Sequence, residues 1–129
     1  MREILFKAKT ISGNWVNGLL ANKDDKWYIS NKAGMPFAYD VRPETLCQFT
    51  GLCDKNGKKI WENDILMAHL DEYYPENATY ETVEWGVAGW VTHEAGSTDI
   101  EYLDEFDLEH FEVIGNIFDN PELLQEEHK

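Results

Sequence analysis

The sequence predicts an all-β (mainly β) fold: a small antiparallel β-barrel or pseudo-barrel, SH3-like in its second half, with a short C-terminal helix. Three observations lead there. Apolar residues come in short runs bounded by turn signals rather than at helical spacing. Aromatic residues make up 13% of the chain, including five Trp, and lie inside those runs, where rings pair across strands. Asn56-Gly57 sits between two β-type runs, and that dipeptide best tolerates the positive φ angles of a type I′ hairpin turn. With 129 residues and 43% apolar content there is room for one modest core, so a single domain over residues 1–129 is expected.

In order along the chain, Glu3 to Lys9 alternates imperfectly and fits a first or edge strand. Ser12-Gly13-Asn14 signals a turn before Trp15, Val16 and the run Leu19, Leu20, Ala21, with Gly18 marking a bulge or a close backbone approach. Lys23 to Lys26 is a polar turn and Trp27-Tyr28-Ile29 its returning strand. A further hairpin over 31–34 brings Met35 to Val41 back, and Pro36 confines that strand to an edge or pushes its start past the proline. Pro43 starts one helical turn. The hairpin around Asn56-Gly57 follows, then a second tight connection at Glu62-Asn63-Asp64 and a strand Ile65 to Leu70.

Residues 71–77 are acidic, contain Pro75 and present two exposed-looking tyrosines, as a binding loop or a neutral insertion would. From Thr79 to Trp85 the chain alternates, with Tyr80, Thr82 and Glu84 on one face and Glu81, Val83 and Trp85 on the other. A carboxylate in each set argues for partial burial only. Gly86 and Gly89 predict a hairpin or bent strand into Trp90, Val91 and Thr92. Ile100 to Glu112 is dense in carboxylates, with Leu103, Phe106 and Leu108 as apolar contacts and Asp104 or Asp107 capping a short helix. A last strand runs from Phe111 to Phe118. Asn120 then caps a helix Pro121 to Gln125, with Pro121 in its first position and Glu122 in its first turn.

The segment Cys47 to Leu66, CQFTGLCDKNGKKIWENDIL, organises this reading. Its TGLCDKNGKKIWENDIL resembles the signature of the YopX-type family of phage and prophage proteins, whose usual form reads like TGLKDKNGKEIYEGDIV. The opening MREILFKAKTISGNWVNGLL and the close VIGNIFDNPELL resemble that family's two ends, so the resemblance spans nearly the whole chain and is weakest over 69–102. Asn63 stands where the family usually has Gly. Asn is the non-Gly residue most at ease in the left-handed region, so the turn is expected to survive. The resemblance implies a small β-rich protein from a phage or integrated prophage, with no established activity.

Eleven basic against twenty-five acidic residues give a net charge of −14. A phosphate backbone would be repelled, which argues against nucleic-acid binding through a broad basic face. The acidity serves solvation, or it is offered to a basic partner in place of DNA. No apolar run approaches the roughly 20 residues that span a bilayer, and MREILFKAK lacks the apolar core of a secretory signal. A location in the cytoplasm of a bacterial host is expected. Cys47 and Cys53, on one straight strand, would stand roughly 20 Å apart at about 3.3 Å per residue, beyond the reach of a disulfide. A free thiol pair is expected.

Asp54-Lys55-Asn56-Gly57 superficially resembles a calcium loop, but the glycine comes too early and Ile65 stands where the bidentate Glu belongs. No nucleophile elbow and no Gly-rich phosphate loop occurs. No catalytic residue, metal ligand or cofactor is therefore assigned. The leading functional expectation is a non-enzymatic accessory protein that binds an unknown protein partner or its own copies. Trp and Tyr are enriched among interface hot spots, which nominates Trp27, Trp61, Trp85, Trp90, Tyr73 and Tyr74, with core packing the rival role for each Trp. Asn56, Gly57 and Asn63 are nominated as structural turn residues. One alternative is an acidic nucleic-acid mimic, using Asp71, Glu72 and Glu76 with Glu101, Asp104, Glu105, Asp107 and Glu109. The other is a metal-dependent hydrolase built from His69, His93 or His110 and carboxylates such as Asp64 or Glu94.

Overall fold

The computed structural model describes residues 5–30, 39–68, 79–94 and 96–124. The chain forms two compact units, Met1–Gly51 and Leu52–Lys129. It is mainly β, with strands β1 (Phe6–Lys9), β2 (Trp15–Lys23), β3 (Lys26–Ser30), β4 (Tyr39–Asp40) and β5 (Cys47–Cys53). Then follow β6 (Lys59–Trp61), β7 (Asp64–Ala68), β8 (Thr79–Trp85), β9 (Trp90–Glu94), β10 (Glu101–Tyr102) and β11 (Phe111–Asn116).

In the first unit the strands lie in the order β4-β3-β2-β1-β5. The long β2 divides its pairing: Trp15 to Gly18 lie against β1, and Leu19 to Lys23 against β3. Gly18 sits at that change of partner. β4 is an edge, as expected for the strand after Pro36, which itself lies outside the described residues. Pro43 opens a single 3-10 turn, Pro43–Thr45. Ala8, Ile29 and Val41 form the core of this unit, with Phe6, Leu20 and Trp27 packed on it. The β2–β3 turn was read from sequence only as polar. Asp24 (φ 54°) and Asp25 (φ 66°) are both left-handed and Lys23 pairs with Lys26, which is the type I′ geometry.

Type I′ geometry is not found at Asn56-Gly57. Gly57 has φ 82° but Asn56 is not left-handed. The Gly57 N–H donates to the Asp54 carbonyl at 2.9 Å and the Asp54 N–H to the Lys58 carbonyl at 2.8 Å. The connection is a type I-like turn over Asp54 to Gly57 followed by one left-handed glycine, the usual three-residue hairpin loop. The cause is the side chain of Asp54, which the sequence reading passed over as part of a failed calcium loop. One carboxylate oxygen accepts from the N–H groups of Asn56 (2.8 Å) and Lys58 (2.9 Å). The other accepts from the N–H of Val113 on β11, at 2.8 Å.

The second unit contains the sheet β10-β9-β8-β7-β11, antiparallel throughout. β5 runs on past Gly51 and leads through the Asp54 turn to β6, its neighbour in the strand order. Ile60 and Trp61 are both buried. Ile60 joins Leu66, Val83, Trp90, Phe111 and Val113 in one core. Asn63 is left-handed (φ 71°), so the turn expected to tolerate Asn in place of Gly does so. Its backbone is held on both sides, by the Val83 carbonyl and the Ile117 N–H.

Three expectations are corrected. The strand orders end in β4 and β6, and in β10 and β11, so among the described residues neither sheet closes into a barrel, and no SH3-like arrangement is recognised. Very short edge strands leave too few backbone groups to zip a closing seam. The C-terminal helix is only a 3-10 turn, Pro121–Leu124. Asn120 does not cap it forward: its side-chain oxygen accepts from the Asn116 N–H, while Asn116 accepts from Phe118 and Asp119. Gly115 is required here, because a Cβ would collide with the Asn120 side chain. Finally, Glu81 is buried at 7% exposure, paired with the hydroxyls of Thr92 (2.7 Å) and Thr79 (3.1 Å).

Burial raises the pKa of Asp54, but the Val113, Lys58 and Asn56 N–H bonds and the Lys58 charge outweigh it and hold the carboxyl below its ordinary value. A folded-state pKa below the unfolded one means that the stabilisation is present at neutral pH and lost on acidification below about pH 4. Wild-type unfolding midpoints should fall through that window more steeply than those of Asp54→Asn. That variant should itself cost about 1–3 kcal/mol, because one accepting oxygen becomes a donor facing an N–H. At the two turns the expected signs are opposite. Gly57→Val should destabilise by on the order of 1–2 kcal/mol through backbone strain alone, since space around a Cβ there is open. Asp25→Gly should stabilise by roughly 0.5–1 kcal/mol by relieving a left-handed L-residue. Urea titrations of both variants check the pair; two shifts of one sign would contradict the turn assignments.

Candidate functional site

The nominated aromatic residues differ in burial. Tyr73 and Tyr74 lie outside the described residues. Trp27 is half-buried against the core of the first unit, and Trp61 is buried. Trp90 is buried within the second core. Trp85 alone among the five tryptophans is largely exposed, at 60%. Trp85 and Trp90 are cross-strand partners, with ring centroids 4.8 Å apart and planes at 73°, an edge-to-face pair. Trp90 is thus the anchor and Trp85 the presented ring.

The β8–β9 connection, Gly86 to Gly89, closes with the Gly86 N–H donating to the Gly89 carbonyl at 2.7 Å. A Cβ on Gly86 would press on Val91 and on that carbonyl, so the turn is tight enough to demand glycine. It thrusts Val87 outward at 98% exposure. Ile100 (51%), just before β10, and Tyr102 (53%) on it are also exposed, and the register sets Tyr102 with Val91 on the sheet face opposite Trp85 and Trp90. The Tyr102 ring lies over Gly89. Sequence reasoning missed Val87, Ile100 and Tyr102. A signal existed: Val between two glycines occupies a turn position that solvent normally reserves for polar residues.

Register decides which face each residue serves. Glu84, Val91 and Tyr102 are aligned across the three strands, and Val83, Thr92 and Glu101 form the adjacent row. The surroundings of this hairpin are acidic. No Lys or Arg occurs between Ile60 and His128, although most of the chain's carboxylates lie there. Glu84 is itself engaged, with the imidazole of His93.

Among the described residues the histidines do not assemble into a centre. His110 lies 3.4 Å from its neighbour Glu109, and His69 lies outside the described residues. Among the described residues no three His, Cys, Asp or Glu side chains converge to hold a metal ion. Cys47 and Cys53 are free thiols, and Cys47 donates to the Thr45 carbonyl. In the first unit a groove of about 350 Å³ is lined by Ile11, Trp27 and Pro43 among charged side chains. Arg42 there donates to the Ile11 carbonyl, so it is partly committed to the fold.

The anchor and the presented ring should respond differently to truncation. Trp90→Ala should cost about 3–5 kcal/mol, as for other buried aromatic residues. Trp85→Ala should cost about 0.5–1.5 kcal/mol, the worth of the edge-to-face pair. Chemical denaturation followed by far-UV circular dichroism measures both; equal costs would mean that Trp85 is a core residue.

Among curated proteins nothing matches this chain. A solved structure, that of protein EF1440 from Enterococcus faecalis, superposes with a TM-score of 0.64 at 21% identity, covering 97% of this chain and 100% of that one. At that identity the likeness concerns the fold alone. The family profile described as YopX protein matches residues 7–125. That match takes in the first of the three resembling blocks from Lys7 onward and the other two whole, including the Asp54 turn and the Gly115–Asn120 loop, and the chain belongs to the YopX protein family.

Proposed function

We propose that this protein is a non-enzymatic accessory factor of phage or prophage origin, working inside the bacterial host by contact with another protein. Family membership supports the origin. The observation that carries the contact role is the β8–β9 tip, where Trp85 and Val87 stand in solvent on a rigid hairpin held by two glycines. Exposed tryptophan on a rigid element is costly to keep in water and is the residue type most enriched at binding hot spots. Among the described residues no helix is long and apolar enough to cross a membrane. A second reading, an acidic surface standing in for nucleic acid, is favoured by the absence of Lys and Arg from Ile60 to His128. It requires binding that collapses with salt and is competed by duplex DNA.

The two readings part on one comparison. Wild-type protein and the Trp85→Ala/Val87→Asp double variant are immobilised and exposed to a lysate of a strain carrying the gene. The contact reading expects a defined protein retained by wild type and reduced about tenfold or more on the variant, since hot-spot truncation costs 2 kcal/mol or more. Identical retention on both would remove the tip from consideration.

A further inference from the structure

We propose that the groove of the first unit receives an arginine side chain from an extended segment of a partner protein, its guanidinium resting on Trp27 and meeting carboxylates at the rim. The inference goes beyond the contact role of the β8–β9 tip and does not depend on it, because every residue involved belongs to the first unit. The groove is built around one short strap of backbone. The Val41 N–H donates to the Trp27 carbonyl at 3.1 Å and the Arg42 N–H to the Lys9 carbonyl at 2.8 Å, while Thr10 and Val41 form a β-bridge. Asp40 to Arg42 are thereby fixed between β3 and the end of β1. The β1–β2 turn adds Ile11, the β2–β3 turn adds Asp25, and the 3-10 turn adds Pro43 and Glu44. A hollow of about 350 Å³ falls within the size range of ligand clefts.

The lining specifies what fits. Its apolar part centres on Trp27, and its acidic part is Asp25, Asp40 and Glu44, all exposed. Two cations share the lining, Lys26 and Arg42. Arg42 is turned onto backbone, its guanidinium donating to the Ile11 carbonyl at 2.7 Å, and Lys26 is exposed at the turn. Among the described residues neither forms an ion pair with the three carboxylates. An anion would meet those carboxylates as like charges, and a purely apolar ligand would desolvate them without a partner. A guanidinium answers both parts of the lining: it is planar and weakly hydrated, stacks on an indole and forks onto a carboxylate. A lysine ammonium is a strongly hydrated point charge and does this less well. The hollow is an open groove rather than an enclosed cavity and is larger than a guanidinium alone. Apolar residues flanking the arginine can lie against Pro43 and Ile11, which is 61% exposed. A chain passing through fits that shape better than a free small molecule.

The test uses the whole protein and a short fluorescent peptide with one arginine between leucine and proline residues, read by fluorescence anisotropy. Binding is expected. Replacing the arginine by citrulline, which keeps the shape but not the charge, should weaken it about tenfold or more. The Asp40→Asn/Glu44→Gln variant should weaken the arginine peptide by a similar factor; both positions are exposed, so neither change opens the core. Glu101→Gln/Glu105→Gln removes as much charge from the second unit and should change nothing. Equal losses in the two variants would mean general attraction to an acidic protein and would overturn the proposal. So would a peptide that does not bind, or one whose citrulline form binds equally well. Free arginine amide should bind about tenfold more weakly than the peptide or worse, lacking the flanking apolar contacts; equal binding would make the groove a small-molecule site and reject the partner segment. Finally, the Trp85→Ala/Val87→Asp variant should bind the peptide like wild type. Loss of binding there would put the peptide on the β8–β9 tip, rejecting the groove while leaving the contact reading in place.

Discussion

The carboxylate of Asp54 is where local and long-range structure of the second unit meet. It sits at 6% exposure and satisfies three backbone N–H groups, two in its own turn and one on β11. Next to it the Lys55 N–H donates to the Phe111 carbonyl. A buried N–H without a partner costs a substantial part of a domain's net stability. Removing this one side chain would orphan several at once. The turn between β5 and β6 and the strand β11 are far apart in sequence, and this contact holds them in register. The core of Ile60, Phe111 and Val113 can pack only when that register is set.

Legibility from sequence followed the range of the forces involved. Strand runs, the Pro43 turn, the β8–β9 hairpin and the left-handed Asn63 are local matters, and propensity and spacing reached them. What escaped depended on a distant partner. Asn56-Gly57 has the composition of a type I′ turn, yet Asp54 captures the Lys58 N–H and draws the loop into another form. Asp24-Asp25, with no glycine, takes the type I′ form because the pairing of Lys23 with Lys26 leaves two residues to reverse the chain. Glu81 reads as half-exposed because carboxylates seldom go inside; the hydroxyl of Thr92, eleven residues away, is what admits it. Closure into a barrel was inferred from strand number, but strand order determines it.

At the candidate site, the sequence nominated tryptophans as a class, and burial then divided them. A Trp in a strand can anchor a core or face a partner, and only its neighbours across the sheet tell which. The physical theme in this unit is a hairpin with an apolar end, in a stretch of chain, Ile60 to His128, that has no Lys or Arg.

The edge-to-face indoles of Trp85 and Trp90 give the protein a built-in optical gauge. Two chromophores 4.8 Å apart at a fixed angle are close enough for their electronic transitions to mix, producing a paired band of opposite signs in circular dichroism. The strength of that couplet depends on the mutual orientation of the rings. Any occupant that rotates or covers Trp85 therefore writes its arrival into the spectrum of the unlabelled protein, separately from the three tryptophans elsewhere in the chain.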